Sequence, residues 1–297
     1  MAKSSHPRHP LPTAADDALQ APPPPATPQT QSDSYRLAYT DAEFLRRDEL
    51  RSVRLELELL KPEIILHEHG IEATVVVFGG TRIPDPATAR RDLASARAEA
   101  RARPGDRDRA RKAAIAERVL EKSRYYEEAR RLGSLITNRC QGDHQCRLVV
   151  VTGGGPGIME AANRGAHEAG GKSAGLNIVL PREQVPNRYI TPELCFQFHY
   201  FAMRKMHFLM RAQALVAFPG GYGTLDELFE TLTLLQTRKI ARVPVLLFGR
   251  AYWDRVVAFE AMVDEGTIAP EDLELITFVE TAEEAWAVIA DAVNDGR

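Results

Sequence analysis

Cysteine is scarce in this sequence: 297 residues contain three, Cys140, Cys146 and Cys195. So few, and an odd number, exclude a disulfide framework and predict free thiols in a reducing compartment. Cys140 and Cys146 flank His144, but the spacing matches no zinc site and no second ligand pair follows, so no metal is expected. Apolar runs are short as well. None approaches the roughly 20 residues that cross a bilayer, and the N-terminus has no apolar signal core, which together predict a cytoplasmic protein without a membrane partner. Charge of either sign is also modest. A net charge of -3 argues against nucleic acid as a dedicated partner.

What the chain does have is core material. Hydrophobic residues make up 44% of it, enough for one large domain or two small ones. Residues 1–36 stand apart, rich in Pro, Ala, Ser, Thr and Gln with consecutive prolines from Pro22 to Pro25, and read as a disordered tail. Residues 37–297 read as a single domain. A helix is predicted from Thr40 to Leu60, capped by Thr40 or Asp41 and interrupted at Pro62. Strands are predicted at Ala73–Phe78, Arg147–Thr152, Ala174–Leu180, Ala214–Phe218, Val243–Phe248 and Ile276–Val279. Helices are predicted over Phe196–Arg211, from Thr224 onward, over Tyr252–Glu265 and over Ala282–Val293. The alternation predicts an α/β fold with a doubly wound, Rossmann-like parallel sheet flanked by helices on both faces. An Ala/Arg/Glu-rich block at about 85–145 reads as a helical insertion, two helices joined at Pro104-Gly105-Asp106. Its acidic residues interleave with its arginines, as on a solvated face laced by ion pairs.

In such sheets ligands sit at the carboxyl ends of strands. Three of these ends are glycine-rich: Gly79-Gly80-Thr81, the run Gly153 to Gly157, and Pro219-Gly220-Gly221-Tyr222-Gly223. Glycine lets backbone N–H groups approach a ligand, and a following helix adds unpaired donors and a positive dipole end, so phosphate is the natural guest. Gly79, Gly154 and Gly155 are therefore candidate substrate contacts, with Pro156 fitting the first position of a helix. The middle loop is not the dinucleotide fingerprint, because Ile158 stands where its third glycine belongs. Gly171-Lys172-Ser173 lacks the earlier glycine of a Walker A loop and follows a helix. Arg204 and Lys205, adjacent in a mostly apolar helix, require a route to water or an anionic partner. Glu227 admits two readings: a carboxylate beside a phosphate cradle, or the third helical residue of a capping box begun by Thr224.

The segments GGGPGIMEAAN, Arg204-Lys205 and PGGYGTLDE, in that order, closely resemble the LOG (Lonely Guy) family, long described as lysine decarboxylases. The resemblance extends over roughly residues 40 to 295. It implies a phosphoribohydrolase that cuts the N-glycosidic bond of a nucleoside 5'-monophosphate, a cytokinin riboside monophosphate or AMP, giving free base and ribose 5-phosphate. It implies Arg204 and Glu227 as catalytic residues, with substrate contacts at Glu183, Lys205, Gly220, Gly221, Tyr222, Gly223, Thr224 and Thr233. It further implies no cofactor, no metal and a homo-oligomer, dimer or hexamer, with the pocket close to the interface. One departure is the first loop, Gly79-Gly80-Thr81, where the family often has Gly-Ser-Ser or Gly-Ser-Ala.

The chemistry is coherent. Departure of the base builds positive charge on the ribose, which an ionised carboxylate stabilises while activating water. The fixed charge of Arg204 is expected to keep Glu227 ionised. A nucleotide or molybdopterin carrier on the same fold is the alternative, needing the loops but not Glu227. Lysine decarboxylation generally needs a pyridoxal phosphate lysine, and no motif surrounds Lys172, Lys205 or Lys239.

Overall fold

Short runs of Val, Leu, Ile and Ala pair into one sheet. A computed structural model of the chain describes residues 13–20, 24–141, 148–181 and 185–295. Its strands are β1 (Ala73–Phe78), β2 (Leu148–Thr152), β3 (Ser173–Ile178), β4 (Cys195–Phe198), β5 (Ala212–Ala217), β6 (Val245–Phe248) and β7 (Ile276–Val279). They form a seven-stranded sheet in the order β4-β3-β2-β1-β5-β6-β7, parallel at every pairing. After β1 the chain builds outward to one side through β4, then returns to pair β5 with the other edge of β1. That reversal opens a crevice at the carboxyl ends of β1 and β5, where an α/β sheet binds ligands.

The chain divides into two compact units, Met1–Arg54 and Leu55–Arg297. The first contains α1 (Ala14–Gln20) and α2 (Ala42–Leu45). Asp41 caps α2, its Oδ1 accepting the N–H groups of Glu43 and Phe44 at 3.0 Å. The helix expected from Thr40 to Leu60 is instead α2, a turn of 3-10 helix at Asp48–Leu50, and α3 (Arg51–Glu68). Pro62 does not interrupt α3 but lies within it.

The block expected to be two helices contains three: α4 (Pro86–Ala102), α5 (Arg107–Lys122) and α6 (Arg124–Cys140). Pro104-Gly105-Asp106 joins the first two as expected, with Asp106 capping α5. α6, however, belongs to the core. It buries Tyr125, Tyr126, Leu132 and Ile136, and it crosses α7 (Ile158–Glu168) at a glycine contact. A Cβ on Gly133 would lie 2.2 Å from the Ala162 carbonyl oxygen, and one on Gly165 only 1.8 Å from that of Arg130. α6 ends at Cys140, which is disulfide-bonded. This corrects the free-thiol expectation at that position, whereas Cys195 is free. The motif of Cys146 and His144 also lies outside the described residues.

α8 (Phe201–Met210), α9 (Tyr222–Gln236), α10 (Arg250–Val256), α11 (Phe259–Asp264) and α12 (Ala282–Asp295) complete the unit. The helix expected over Phe196–Arg211 is thus divided between edge strand β4 and α8. Because strand side chains alternate, each central strand feeds two cores. Val75, Val77, Val150 and Val216 pack with residues of α6, α7 and α12. Val76, Phe78, Val151 and Leu215 pack with residues of α3, α8, α9 and α10. Among the described residues no helix is long and apolar enough to cross a membrane.

Candidate active site

The three glycine loops meet at the crevice, and the loop after β1 joins the other two. The Gly80 N–H donates to the Pro219 carbonyl at 2.9 Å, and the Gly80 carbonyl accepts the N–H of Ile158 at 3.3 Å. The fit is tight enough to explain the glycines. A Cβ on Gly79 would lie 2.5 Å from Ile158, and one on Gly157 2.4 Å from the Gly80 oxygen. Gly79, a candidate substrate contact, is buried. Pro156 is not the first helical residue: Gly157, at φ 73°, is the N-cap and α7 starts at Ile158.

The middle loop hangs on a buried set of neutral polar groups. The Thr152 hydroxyl accepts the Gly154 N–H at 3.0 Å and donates to Asn163 Oδ1 at 2.7 Å. Asn187 Nδ2 donates to the same Asn163 oxygen and to the carbonyls of Gly154 and Gly155. Asn163 Nδ2 in turn donates to the Ser173 hydroxyl. Gly154 adopts φ 77°, and a Cβ there would strike Asn177. Sequence reasoning found the glycines but not this support. Its one available signal is Asn163, a polar residue on the apolar face of α7.

The third loop ends in the N-terminus of α9. Gly221 is the N-cap, and the first helical bond runs from the Leu225 N–H to the Gly221 carbonyl at 3.0 Å. The N–H groups of Tyr222, Gly223 and Thr224 therefore have no acceptor within the helix. Gly221 and Gly223 have nothing within 4 Å of a would-be Cβ, so both face open space. Gly220 packs against the Thr224 side chain, and its carbonyl accepts the Tyr252 hydroxyl. Removing that bond by Tyr252→Phe should weaken the binding of an anion at this loop about fivefold, the loss of one hydrogen bond of ~1 kcal/mol; calorimetric titration with inorganic phosphate checks this.

This start of α9 settles the capping box. Thr224 is the third helical residue, not the cap, so Glu227 lies a turn too far along to bond back to the N-cap. Glu227 points inward, 6% exposed. Arg204 Nη1 stands 3.8 Å from its Oε1, and no described residue gives the carboxylate a hydrogen bond. Burial outweighs the attraction of Arg204 and Lys205, so the carboxyl titrates at about 7. The expectation that the fixed charge of Arg204 keeps it ionised is thereby corrected.

Arg204 bridges three elements. Its Nε donates to the Leu176 carbonyl of β3 at 2.7 Å, its guanidinium lies 4.9 Å over the Phe208 ring, and its tip faces Glu227. Gly153 leaves it room, since a Cβ there would meet Nη2 at 2.6 Å. The obstructed atom is the end of a flexible side chain, so Gly153→Ala should fold almost as well as wild type but displace the guanidinium. We expect the Glu227 titration, followed by carboxyl NMR, to move upward as the cation withdraws, with a melting temperature within a few degrees of wild type. Lys205 is not free: Nζ lies 3.0 Å from both Asp226 and Glu230. Thr233 is exposed on α9, its hydroxyl bonded to the Phe229 carbonyl at 2.7 Å, and Tyr222 is 93% exposed. Glu183 lies outside the described residues.

A family model described as "possible lysine decarboxylase" matches residues 159–289. The cytokinin riboside 5'-monophosphate phosphoribohydrolase LOG7 of Arabidopsis thaliana is 35% identical over 170 residues, spanning 55% of this chain and 73% of that protein. The chain belongs to the LOG family. A probable LOG phosphoribohydrolase of Oryza sativa subsp. japonica, LOGL5, is 34% identical over 149 residues, with 49% of this chain and 59% of that protein covered. A molybdenum cofactor carrier protein structure from Chlamydomonas reinhardtii aligns at a TM-score of 0.43 and 18% identity, over 75% of this chain and 99% of that one. A likeness of that degree decides nothing about function. The family-model match begins at Met159, after the middle glycine loop, and takes in both α8 and α9.

Proposed function

We propose that this chain hydrolyses the N-glycosidic bond of a nucleoside 5'-monophosphate, AMP or a cytokinin riboside monophosphate, releasing the free base and ribose 5-phosphate. The observation that carries the reading is the pairing of half-buried Arg204 with buried Glu227 beside a glycine-capped helix start whose N–H groups lack acceptors within the helix. In this reading Gly221, Tyr222, Gly223 and Thr224 offer those N–H groups to the 5'-phosphate, as a helix N-terminus binds an anion. The ribose then lies over Glu227. The C1'–N bond breaks, a water oxygen bonds to C1', and Glu227 takes a proton from that water while its charge offsets the positive charge on the sugar. The departing base keeps the electron pair of the broken bond and takes up one proton, and Glu227 gives up the proton it accepted, so that one water ends as hydroxyl on C1' and hydrogen on a base nitrogen. Arg204 orients the carboxylate and biases it toward the ionised form.

The ionised form does the work, so kcat/KM should rise with pH through about 7 and level above it, since the group is protonated below its titration point and charged above. A profile flat from pH 6 to 8 would remove Glu227 as the base. The decisive assay is incubation with AMP and with isopentenyladenosine monophosphate, followed by chromatography of the bases. Release of neither adenine nor isopentenyladenine would sink the hydrolase reading.

A homo-oligomer belongs to the same proposal. Leu57, Leu60 and Ile64 of α3 and Met206 and Met210 of α8 are exposed, an apolar surface of the kind a second copy covers. Light scattering at the mass of a monomer would speak against it.

A further inference from the structure

A proline inside a helix has no N–H for the carbonyl four residues back. For Pro62 that carbonyl belongs to Glu58, and it is not orphaned. His207 Nε2 lies 3.1 Å from it, and because a carbonyl only accepts, Nε2 is the donor. The Glu58 carboxylate reaches the same neighbouring helix. Oε1 accepts the His199 N–H at 2.7 Å and Oε2 the Tyr200 N–H at 3.1 Å. Tyr200 is the N-cap of α8 and makes no side-chain cap bond of its own. Glu58 therefore acts as a cap supplied from another helix, an anion at the positive end of the α8 dipole. The Tyr200 carbonyl accepts the N–H of Arg204 at 3.2 Å. A short chain of bonds thus joins Glu58 to the backbone that carries the Arg204 guanidinium.

We propose that Glu58 is a positioning residue, which fixes the entry and rotation of α8 and so holds Arg204 against Glu227, with Pro62 freeing the Glu58 carbonyl for His207. Arg204 has little slack to absorb a rotation, because its Nε is fixed on Leu176 at 2.7 Å while its tip stands 3.8 Å from Glu227. Glu63 makes the other ties between the helices, to Arg211 beyond the far end of α8 and toward His207 Nδ1 at 3.4 Å in its last turn, and neither secures its entry. His207 is buried, and burial lowers its pKa, which favours the neutral ring that donates from Nε2.

For turnover the inference rests on the hydrolase reading, so its test includes a measurement independent of turnover. Glu227 faces Arg204 and Lys205 from α8 and Asp226 and Glu230 on its own helix. Its titration therefore reports where Arg204 stands. The full chain, labelled with 13C at the glutamate carboxyls, is titrated by NMR, the Glu227 signal being the one lost in Glu227→Gln. In Glu58→Ala the midpoint should move upward by about half a unit or more, as the favourable cation withdraws. In parallel kcat should fall about tenfold with KM changed less than about threefold. Glu58→Gln keeps one acceptor oxygen and should give a smaller shift of the same sign. A folded Glu58→Ala with an unmoved midpoint overturns the proposal, even if its melting temperature drops; if that variant does not fold, an unmoved midpoint in Glu58→Gln does so. A wild-type protein without turnover defeats the hydrolase reading, and the titration still decides the placement of Arg204.

Discussion

Glu227→Gln should abolish most turnover and at the same time make the protein more stable at alkaline pH. The loss follows from the role we propose for it: removing a base that also offsets charge should lower kcat by about a thousandfold or more. The gain follows from linkage. Glu227 is held at about 7 in the folded chain, against 4.5 when unperturbed. Below pH 4.5 the carboxyl is protonated in both states and contributes no pH dependence. As pH rises from 4.5 to 7 the unfolded chain releases the proton while the folded chain keeps it, so folding loses stability, and above 7 the penalty is constant. Glutamine mimics the protonated form at every pH. The variant should therefore match wild type near pH 4 and exceed it by up to ~3 kcal/mol at pH 8. Urea unfolding at the two pH values measures the difference. Equal stability at pH 8 would mean that burial does not hold the proton.

Gly165→Ala should have the largest effect on the fold. Alanine normally favours a helix interior over glycine by about 1 kcal/mol, so a simple propensity argument predicts stabilisation. Here the new methyl would meet the backbone oxygen of Arg130, and neither helix can yield by rotating a side chain. α6 and α7 would have to separate, opening the core around Leu132, Ile136 and Ile158. We expect a net destabilisation of at least ~2 kcal/mol by urea unfolding. Because α7 begins at the middle glycine loop, the activity of the surviving folded fraction should fall too.

The central strands were legible because they are covered on both faces, which leaves continuous apolar runs such as Val75–Phe78 and Leu148–Val151. The edge was not. Cys195–Phe198 is short and runs into an aromatic helix, so pattern alone could not place the break before Phe201. Pro62 looked like a terminator because the local rule counts a lost bond, whereas the donor that replaces it, His207, comes from a distant part of the chain. In the candidate site the order of motifs was sufficient to bring Arg204 and Glu227 forward. Their environment was not readable. Thr-Leu-Asp-Glu has the same letters whether or not Thr224 is a cap, and the choice is made by Gly221, which starts the helix earlier. The titration of Glu227 near neutrality comes from the packing around it, which no spacing encodes. Gly153 and Tyr252 were missed for the same reason, since their partners Arg204 and Gly220 are remote in sequence.

The polar support beneath the middle loop consists of Thr152, Asn163, Ser173, Asn177 and Asn187, all buried amides and hydroxyls. None gains or loses a proton in the range where enzymes are studied. Acidifying or alkalising the solution therefore leaves this foundation electrically silent, and the loop keeps its shape while the carboxyl above it changes charge. The Glu227 transition is therefore not accompanied by any change of charge in the groups that hold the middle loop.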